Sequence, residues 1–272
     1  MEKARLVVCD IDNTLVPKHK NISDRTRNAI HSLRKNGILF GLASGRGVDS
    51  LHLLEEQWNI HCDMIIGQNG AELYDDSTKK NELFYSMKTE WLKQCMEIMS
   101  PFDCNPTLGR DGIHYVRRID ENTRSSGAYM KNVKPPHVVK DDSEFWSAPA
   151  VKIGFRVKAE DMSAIEKRVA EFPSEDFIGF KTENTMFEFG NKKASKGNVL
   201  ELYCQNHNID LKNVYSFGDM TNDISMLKIS GVGVCMLNGS DDAKAASDRI
   251  TEKTVDEDGF ADFVEKYILT NL

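Results

Sequence analysis

The stretch LVVCDIDNT, residues 6–14, joins a short apolar run to a pair of acidic side chains. The run is rich in valine, which favours a β-strand that is buried on both faces. Asp10 and Asp12 follow it directly. In open parallel sheets the functional crevice lies at the carboxyl ends of the strands. Two carboxylates there attract a divalent cation, although the residues alone also fit solvated acids in an Asx turn.

Strand and helix patterns alternate along the first third of the chain. Apolar runs at 38–43 and 64–67 follow the first run, and helical patterns at 23–35 and 48–58 lie between them. This β-α-β-α-β order predicts a parallel sheet with right-handed crossovers. The last third has the same character, with predicted helices and strands at 195–207, 214–217, 223–228, 232–235 and 258–269.

The middle of the chain differs, because its runs are more polar and are punctuated by prolines. Helical patterns at 89–99 and 160–172 accompany strand-like pieces at 113–116 and 151–157. We therefore predict an α/β fold in which a separate α+β domain is inserted into a Rossmann-like parallel-sheet core. The predicted core comprises residues 1–83 and 190–272, and the inserted domain comprises residues 84–189.

A second acidic segment, FGDMTND at residues 217–223, repeats the pattern of a strand followed by acids. In the predicted fold this segment lies beside Asp10. Asp219, Asn222 and Asp223 offer hard oxygen ligands, and Mg²⁺ prefers a few such ligands together with waters and phosphate oxygens. The same residue types also favour helix N-caps, so a purely structural cluster is the alternative.

Two shorter segments carry groups that are suited to anions. Ser44, Gly45 and Arg46 lie where the second strand gives way to a helix, and a hydroxyl with backbone N–H groups there forms a phosphate site. The Arg46 guanidinium can also contact an anionic substrate. Lys196 opens a later helix and can neutralise a phosphate or a carboxylate. An ordinary N-cap with a surface arginine, and a solvated lysine, are the alternatives.

Together these segments resemble the motifs of the haloacid dehalogenase (HAD) superfamily of phosphohydrolases: DxDxT, a serine at a strand end, a lysine, and GDxxND. The Asn69-Gly70 pair and the long insert before the lysine are similar to the Cof-type sugar-phosphatase subfamily, which carries a type 2 cap. The resemblance spans essentially the whole chain and implies a HAD-like core. The family usually has glycine at the position of Asn13, where asparagine tolerates a positive φ.

The resemblance implies a Mg²⁺-dependent phosphomonoester hydrolase that works through an aspartyl-phosphate intermediate. Asp10 would be the nucleophile, and Asp12 would be the general acid and base. Mg²⁺ would be held by Asp10, by the backbone carbonyl of Asp12 and by Asp219. Asn222 and Asp223 would be additional or indirect ligands.

The resemblance also implies a set of phosphate-binding residues. Ser44 and Lys196 would bind the transferring phosphoryl oxygens and offset the charge that develops in the transition state, which places Lys196 in the catalytic set as well. The other residues assigned to the phosphate site are Gly45, Arg46, Asn69 and Asn222.

The composition excludes several classes of protein. The formal net charge of −7 argues against nucleic-acid and anionic-membrane partners. No apolar run approaches the roughly 18 residues of a membrane-spanning helix. The residues before the first strand lack a signal-peptide segment, and the six cysteines form no CxxC pair for zinc or redox chemistry. We therefore expect a cytoplasmic protein that acts on a small phosphorylated molecule, with sugar phosphates as the leading class.

Two other functions stay open, namely a phosphosugar mutase on the same scaffold and a non-catalytic phosphosugar-binding protein. A dehalogenase is disfavoured, because it has no leaving alcohol for Asp12 to protonate. The sequence identifies neither the metabolite nor the oligomeric state. Specificity would come from the cap, where the candidate residues are Asp111, His114, Arg117, Arg118, Glu183, Asn184 and Thr185.

Overall fold

The computed structural model describes residues 3–17, 21–110, 112–120 and 135–271. The chain divides into two compact units. The core unit comprises Met1–Phe84 with Ala194–Leu272, and the inserted unit comprises Tyr85–Lys193. The return to the core therefore lies at residue 194 rather than at the predicted 190. The reason is that the last strand of the inserted unit runs to Asn191.

The core unit is built on a mixed sheet. Its strands are β1 (Leu6–Cys9), β2 (Leu39–Ala43), β3 (Met64–Gly67), β4 (Glu72–Asp75), β5 (Lys80–Leu83), β12 (Val214–Gly218), β13 (Val232–Cys235) and β14 (Arg249–Ile250). Among the described residues the sheet has eight strands in the order β14-β13-β12-β1-β2-β3-β4-β5. Neighbours from β14 to β3 pair in parallel, while β3, β4 and β5 pair antiparallel.

The helices of the core unit follow the predicted alternation, with one additional helix at Asp241–Ala246. They are α1 (Asp24–Lys35), α2 (Val48–Trp58), α5 (Lys196–Asn206), α6 (Ile224–Ile229), α7 (Asp241–Ala246) and α8 (Gly259–Phe263). The helix predicted for residues 258–269 is not uniform, because α8 continues as a π-helical turn over Val264–Ile268. Its apolar side chains are nevertheless buried: Phe260, Phe263, Val264 and Ile268 all lie in the core cluster.

The central strand of the sheet explains where the acidic segments meet. All four residues of β1 are buried, as the apolar run predicted. Cys9, the last of them, lies opposite Phe217 of β12 and opposite Leu42 of β2. Because the three strands are parallel and in register, their carboxyl ends meet at one edge of the sheet. The residues that follow each strand therefore share one location.

The inserted unit is an α+β body with its own apolar core. Its strands are β6 (Asn105–Arg110), β7 (Ile113–Val116), β8 (His137–Val138), β9 (Lys152–Arg156), β10 (Phe177–Glu183) and β11 (Met186–Asn191). Its helices are α3 (Thr89–Met99) and α4 (Met162–Ala170). The described strands form a sheet in the order β10-β11-β9-β6-β7-β8. All pairs are antiparallel except β7 with β8, which is parallel.

The observed architecture confirms the predicted fold class, an α/β protein with a parallel-sheet core. Within the described residues, no helix is both long and apolar enough to cross a bilayer.

Candidate active site

Three predicted site residues follow neighbouring strands of the core sheet. Asp10 follows β1, and its N–H donates to the carbonyl of Phe217 at 2.9 Å, which ties the end of β1 to β12. Asp219 follows β12, and Ser44 follows β2. All three side chains are buried. The structure thus brings together residues from both ends of the chain at one edge of the sheet.

Three carboxylates form a tight acidic cluster at this edge. One oxygen from each of Asp10, Asp219 and Asp223 lies within 4.8 Å of the other two, and all three residues are buried. Burial raises the pKa of Asp219 to about 6, although a hydrogen bond from Thr14 opposes that shift. Burial likewise raises the pKa of Asp10, and the Asp223 carboxylate adds to the effect. The cluster therefore disfavours its own negative charge unless a cation is supplied.

Lys196 supplies one positive charge to the cluster. Its fully buried ammonium donates to Asp10 at 2.5 Å and to Asp223 at 2.6 Å. Burial opposes the charged form, but the two carboxylates outweigh it and raise the pKa of Lys196. Lys196 begins α5, whose N-cap Ser195 accepts a hydrogen bond from the N–H of Asn198. The sequence predicted that Lys196 neutralises a phosphate or a carboxylate, and in the structure it bonds two carboxylates.

Asp223 shapes the acidic loop as well as bonding Lys196. Its Oδ2 accepts hydrogen bonds from the backbone N–H groups of Asp219 and Met220, at 2.9 and 3.0 Å. A Cβ on Gly218 would overlap the Cβ of Asp223, so only glycine fits at the end of β12. Both oxygens of Asp223 are thus already engaged, which suits a residue that holds the loop in place.

Thr14 is a site residue that our sequence reasoning did not assign. Its buried hydroxyl donates to Oδ1 of Asp219 at 2.8 Å. The threonine of the DxDxT segment was the available signal. Asn13, which precedes Thr14 in the chain, adopts a φ of +64°, and its carbonyl accepts a hydrogen bond from Asn238. Asparagine is one of the residues best suited to this left-handed conformation.

Asp12 lies apart from the acidic cluster. The Nη2 of Arg46 donates to both of its carboxylate oxygens, at 2.8 and 2.9 Å. The two side chains are 39% and 42% exposed, in contrast to the buried Asp10. The Asp12 carboxylate does not belong to the cluster that Asp10, Asp219 and Asp223 form. Arg46 therefore contacts Asp12 in the structure, and its predicted contact with phosphate stays a prediction.

Ser44 and Gly45 belong to a loop that is held by the turn after β3. The Ser44 carbonyl accepts a hydrogen bond from the N–H of Asn69 at 2.9 Å. The Ser44 Oγ accepts one from the N–H of Arg46 at 3.3 Å, which leaves its own O–H able to donate to a ligand. A Cβ on Gly45 would lie 3.3 Å from the Asn69 side chain, so the backbone passes close to that turn.

The turn after β3 has three consecutive residues in the left-handed region. The φ values of Gln68, Asn69 and Gly70 are +50°, +55° and +99°. A Cβ on Gly70 would overlap the backbone carbonyl of Ser195, at the start of the helix that carries Lys196. Asn69 accepts a hydrogen bond from the exposed Asn222 at 3.1 Å. The structure therefore brings Asn222 to Asn69, and the described contacts do not join it to the carboxylate cluster.

Most of the specificity candidates make contacts within the inserted unit. Arg117 donates to both oxygens of Asp142, Arg118 pairs with Asp103, and Glu183 pairs with Arg156. His114 lies 2.5 Å from the hydroxyl of Thr107. Asn184 and Thr185 form the turn between β10 and β11. Asp111 lies outside the described residues.

Comparisons with known proteins agree with this architecture. A phosphatase of Bacillus subtilis named 5-amino-6-(5-phospho-D-ribitylamino)uracil phosphatase YitU is 25% identical, over 97% of this chain and 98% of the relative. The crystal structure of TM0651 from Thermotoga maritima matches with a TM-score of 0.84 and 24% identity, over 99% of this chain and 97% of the other. The structure of BT4131, described as a HAD subclass IIB sugar phosphatase, matches with a TM-score of 0.79 and 21% identity, over 98% and 100%.

The family itself is identified by a match that extends over most of the sequence. Residues 7–264 match the model of the haloacid dehalogenase-like hydrolases. The matched range includes both acidic segments, the serine loop and Lys196. It confirms the family that the four motifs predicted. The chain therefore belongs to the haloacid dehalogenase-like hydrolases.

Proposed function

We propose that this enzyme is a Mg²⁺-dependent phosphomonoesterase that forms an aspartyl-phosphate on Asp10. The observation that carries this proposal is the contrast between two neighbouring aspartates. Asp10 is buried and bonded to Lys196, whereas Asp12 is half-exposed and separate from the cluster. A covalent phosphatase needs one carboxylate that is fixed for attack and a second that can exchange protons with the leaving group and with water.

The residues of the acidic cluster fit Mg²⁺. Asp10, Asp219 and Asp223 offer hard oxygen ligands from side chains that lie within reach of one ion. Their three carboxylates face the single ammonium of Lys196, which leaves a formal excess of two negative charges. A bound divalent cation would neutralise that excess and shield a phosphate dianion from the carboxylates. Because Asp223 is engaged by three donors, we assign direct ligation to Asp10 and Asp219.

The proposed reaction uses the two aspartates in succession. An oxygen of Asp10 attacks phosphorus, the bond from phosphorus to the ester oxygen breaks, and Asp12 gives a proton to the departing alcohol. Asp12 then takes a proton from the water that attacks the aspartyl-phosphate. That step breaks the bond between phosphorus and Asp10, and inorganic phosphate leaves. Lys196 and the Ser44 hydroxyl donate to the phosphoryl oxygens as charge develops on them.

We propose a phosphorylated sugar or sugar alcohol as the substrate. The names of two similar proteins support this class: one acts on a phosphoribitylamino compound, and the other is described as a sugar phosphatase. Both names describe a phosphate ester on a polyhydroxylated carbon chain. The half-exposed Asp12 also suits such an ester, because an alkoxide is a poor leaving group that needs a proton.

The experiment that tests the function is a phosphate-release screen. The purified protein is incubated with Mg²⁺ and several dozen phosphorylated metabolites, including hexose, pentose and ribityl phosphates, and free phosphate is measured. We expect release from sugar or sugar-alcohol phosphates without any activating bisphosphate. Phosphate transfer between two hydroxyls of one sugar, without release, would indicate the mutase instead. Binding without turnover of any compound would indicate the non-catalytic alternative.

A further inference from the structure

The contact between Arg46 and Asp12 points to a role for this arginine besides the predicted contact with phosphate. We propose that Arg46 is a positioning residue, which holds the Asp12 carboxyl group in the orientation that proton transfer to the leaving group requires. The inference rests on the proposed phosphatase function. It concerns the orientation of Asp12 and not its charge.

The geometry of the contact supports this role. A single nitrogen of the guanidinium, Nη2, bridges both oxygens of Asp12 at 2.8 and 2.9 Å. Contact with both oxygens restrains rotation of the carboxyl plane as well as its position. Aspartate has a broad torsion at the carboxyl group, so an unrestrained carboxyl would sample many orientations.

The backbones on both sides of the contact are fixed. The carbonyl of Arg46 accepts a hydrogen bond from the N–H of Gln68 at 2.8 Å, and its own N–H donates to the Ser44 hydroxyl. Beside Asp12, the N–H of Asn13 donates to the carbonyl of Val16 at 2.7 Å. The remaining freedom therefore lies in two half-exposed side chains, and their mutual contact restrains that freedom.

The other carboxylates of the site have different restraints. Asp10 is bonded to Lys196, Asp219 accepts from Thr14, and Asp223 accepts from two backbone amides. Those three residues are buried, whereas Asp12 faces solvent. A general acid must lie within about 2.6–3.2 Å of the atom that it protonates, and a displacement of about 1 Å can cost roughly 100-fold in rate. The contact with Arg46 thus restrains the Asp12 carboxyl group, whereas the other three carboxylates are restrained by their buried surroundings.

The test compares two substrates of similar size that differ in their leaving group. Phenyl phosphate releases the more basic phenoxide, and p-nitrophenyl phosphate releases a phenoxide that needs little protonation. The variant is Arg46→Met, and kcat/KM is measured because it reports the step in which the leaving group departs. We expect kcat/KM to fall roughly 10- to 100-fold for phenyl phosphate and less than about 3-fold for p-nitrophenyl phosphate.

A double-mutant cycle with Asp12→Asn separates positioning from direct binding of phosphate. If Arg46 acts through Asp12, adding Arg46→Met to Asp12→Asn causes no further fall in kcat/KM for phenyl phosphate. Arg46→Lys, which keeps one nitrogen able to donate to a carboxylate, should recover part of the loss. The proposal would be overturned if Arg46→Met lowered kcat/KM equally for both substrates and if the losses from the two substitutions multiplied in the double variant. That result would identify Arg46 as a phosphate ligand.

Three controls separate a wrong role for Arg46 from the loss of any ion pair, from a loss of stability and from a wrong proposed function. Arg34→Met removes a different arginine–aspartate pair of the core unit, with Asp63, and should leave kcat/KM unchanged for both substrates. Thermal unfolding of Arg46→Met should resemble that of the parent, because a half-exposed ion pair adds little stability. If the parent protein releases phosphate from neither compound nor from any metabolite in the screen, the proposed function itself has failed.

Discussion

The buried acidic cluster and the exposed Asp12–Arg46 pair lie in one site, but they are held in different ways. Asp10, Asp219 and Asp223 are enclosed by the core unit, and Lys196 is buried with them. Asp12 and Arg46 face solvent and restrain one another. Burial favours a fixed nucleophile and a strong hold on a cation, whereas exposure allows exchange of protons with water. One loop, residues 10–14, therefore supplies two chemically distinct carboxylates.

The largest effect is expected from removing the proposed nucleophile, Asp10, which is buried. Asp10→Asn replaces the proposed attacking carboxylate with a neutral amide, and an amide is a poor nucleophile. We expect turnover to fall roughly 10⁴-fold or more, by analogy with the loss of nucleophiles in other covalent enzymes. The measurement is steady-state phosphate release with Mg²⁺, for both alkyl and aryl phosphates. Retention of substantial turnover would show that Asp10 is not the attacking group.

Removal of the proposed divalent cation should affect the buried cluster and leave the Asp12–Arg46 pair intact. We expect excess EDTA to reduce turnover roughly 10³-fold or more, because the cation contributes several kcal/mol of charge stabilisation. Added Mg²⁺ should restore turnover. Mg²⁺ should also raise the Tm of the substrate-free protein, since a ligand that binds only the folded state stabilises it.

Two variants test where the proposed Mg²⁺ binds. Asp219→Asn should lose the rise in Tm with Mg²⁺, because a buried carboxylate of the cluster is gone. Asp12→Asn should keep that rise, because its carboxylate lies outside the cluster. Full turnover in excess EDTA would contradict the requirement for a cation. Loss of the Tm response to Mg²⁺ in Asp12→Asn alone would contradict the assignment of Mg²⁺ to the buried cluster.

Removing the exposed carboxylate should give a smaller loss that depends on the leaving group. We expect Asp12→Asn to lower turnover roughly 10²- to 10⁴-fold for alkyl phosphates, which is the usual contribution of general acid–base catalysis. The loss should be smaller for p-nitrophenyl phosphate. Because Asp12 is also the proposed base of the second step, that substrate should show a burst of nitrophenol followed by slow turnover. Equal losses for both substrates without a burst would reject the assignment.

The parts of the fold that the sequence predicted are those where local pattern and burial agree. The valine-rich β1 is buried along its whole length, and the helical pattern at 23–35 corresponds to α1 with Ser23 as its N-cap. The β4–β5 hairpin escaped prediction because β5, KNEL, is exposed throughout and carries no apolar alternation. In the inserted unit, β10 was missed for a similar reason, since most of its residues are exposed or half-exposed.

The parts of the site that the sequence predicted are those that motifs mark. Asp10, Asp219 and Lys196 follow strand or helix boundaries that the sequence itself reveals, and the order of the strands brings them together. The contact between Asp12 and Arg46 joins half-exposed side chains 34 positions apart, and no local pattern encodes it. The bond from Thr14 to Asp219 spans 205 positions and depends on the parallel pairing of β1 with β12.

The smallest effect is expected from changing a glycine in the turn that lies next to both regions. The turn of Gln68, Asn69 and Gly70 bonds the Arg46 carbonyl on one side and packs on Ser195, next to Lys196, on the other. Gly70→Ala adds a Cβ that overlaps the Ser195 carbonyl, in addition to the strain of a positive φ. We expect kcat/KM to fall about 10-fold, because both halves of the site shift by part of an ångström.

Gly37→Ala is the matched control for Gly70→Ala, since Gly37 also has a positive φ but has open space around its Cβ position. Strain alone should lower the Tm of the control and leave its kcat/KM unchanged. If the two variants show equal activity, the turn does not connect the buried cluster with the exposed pair, and each region is positioned independently.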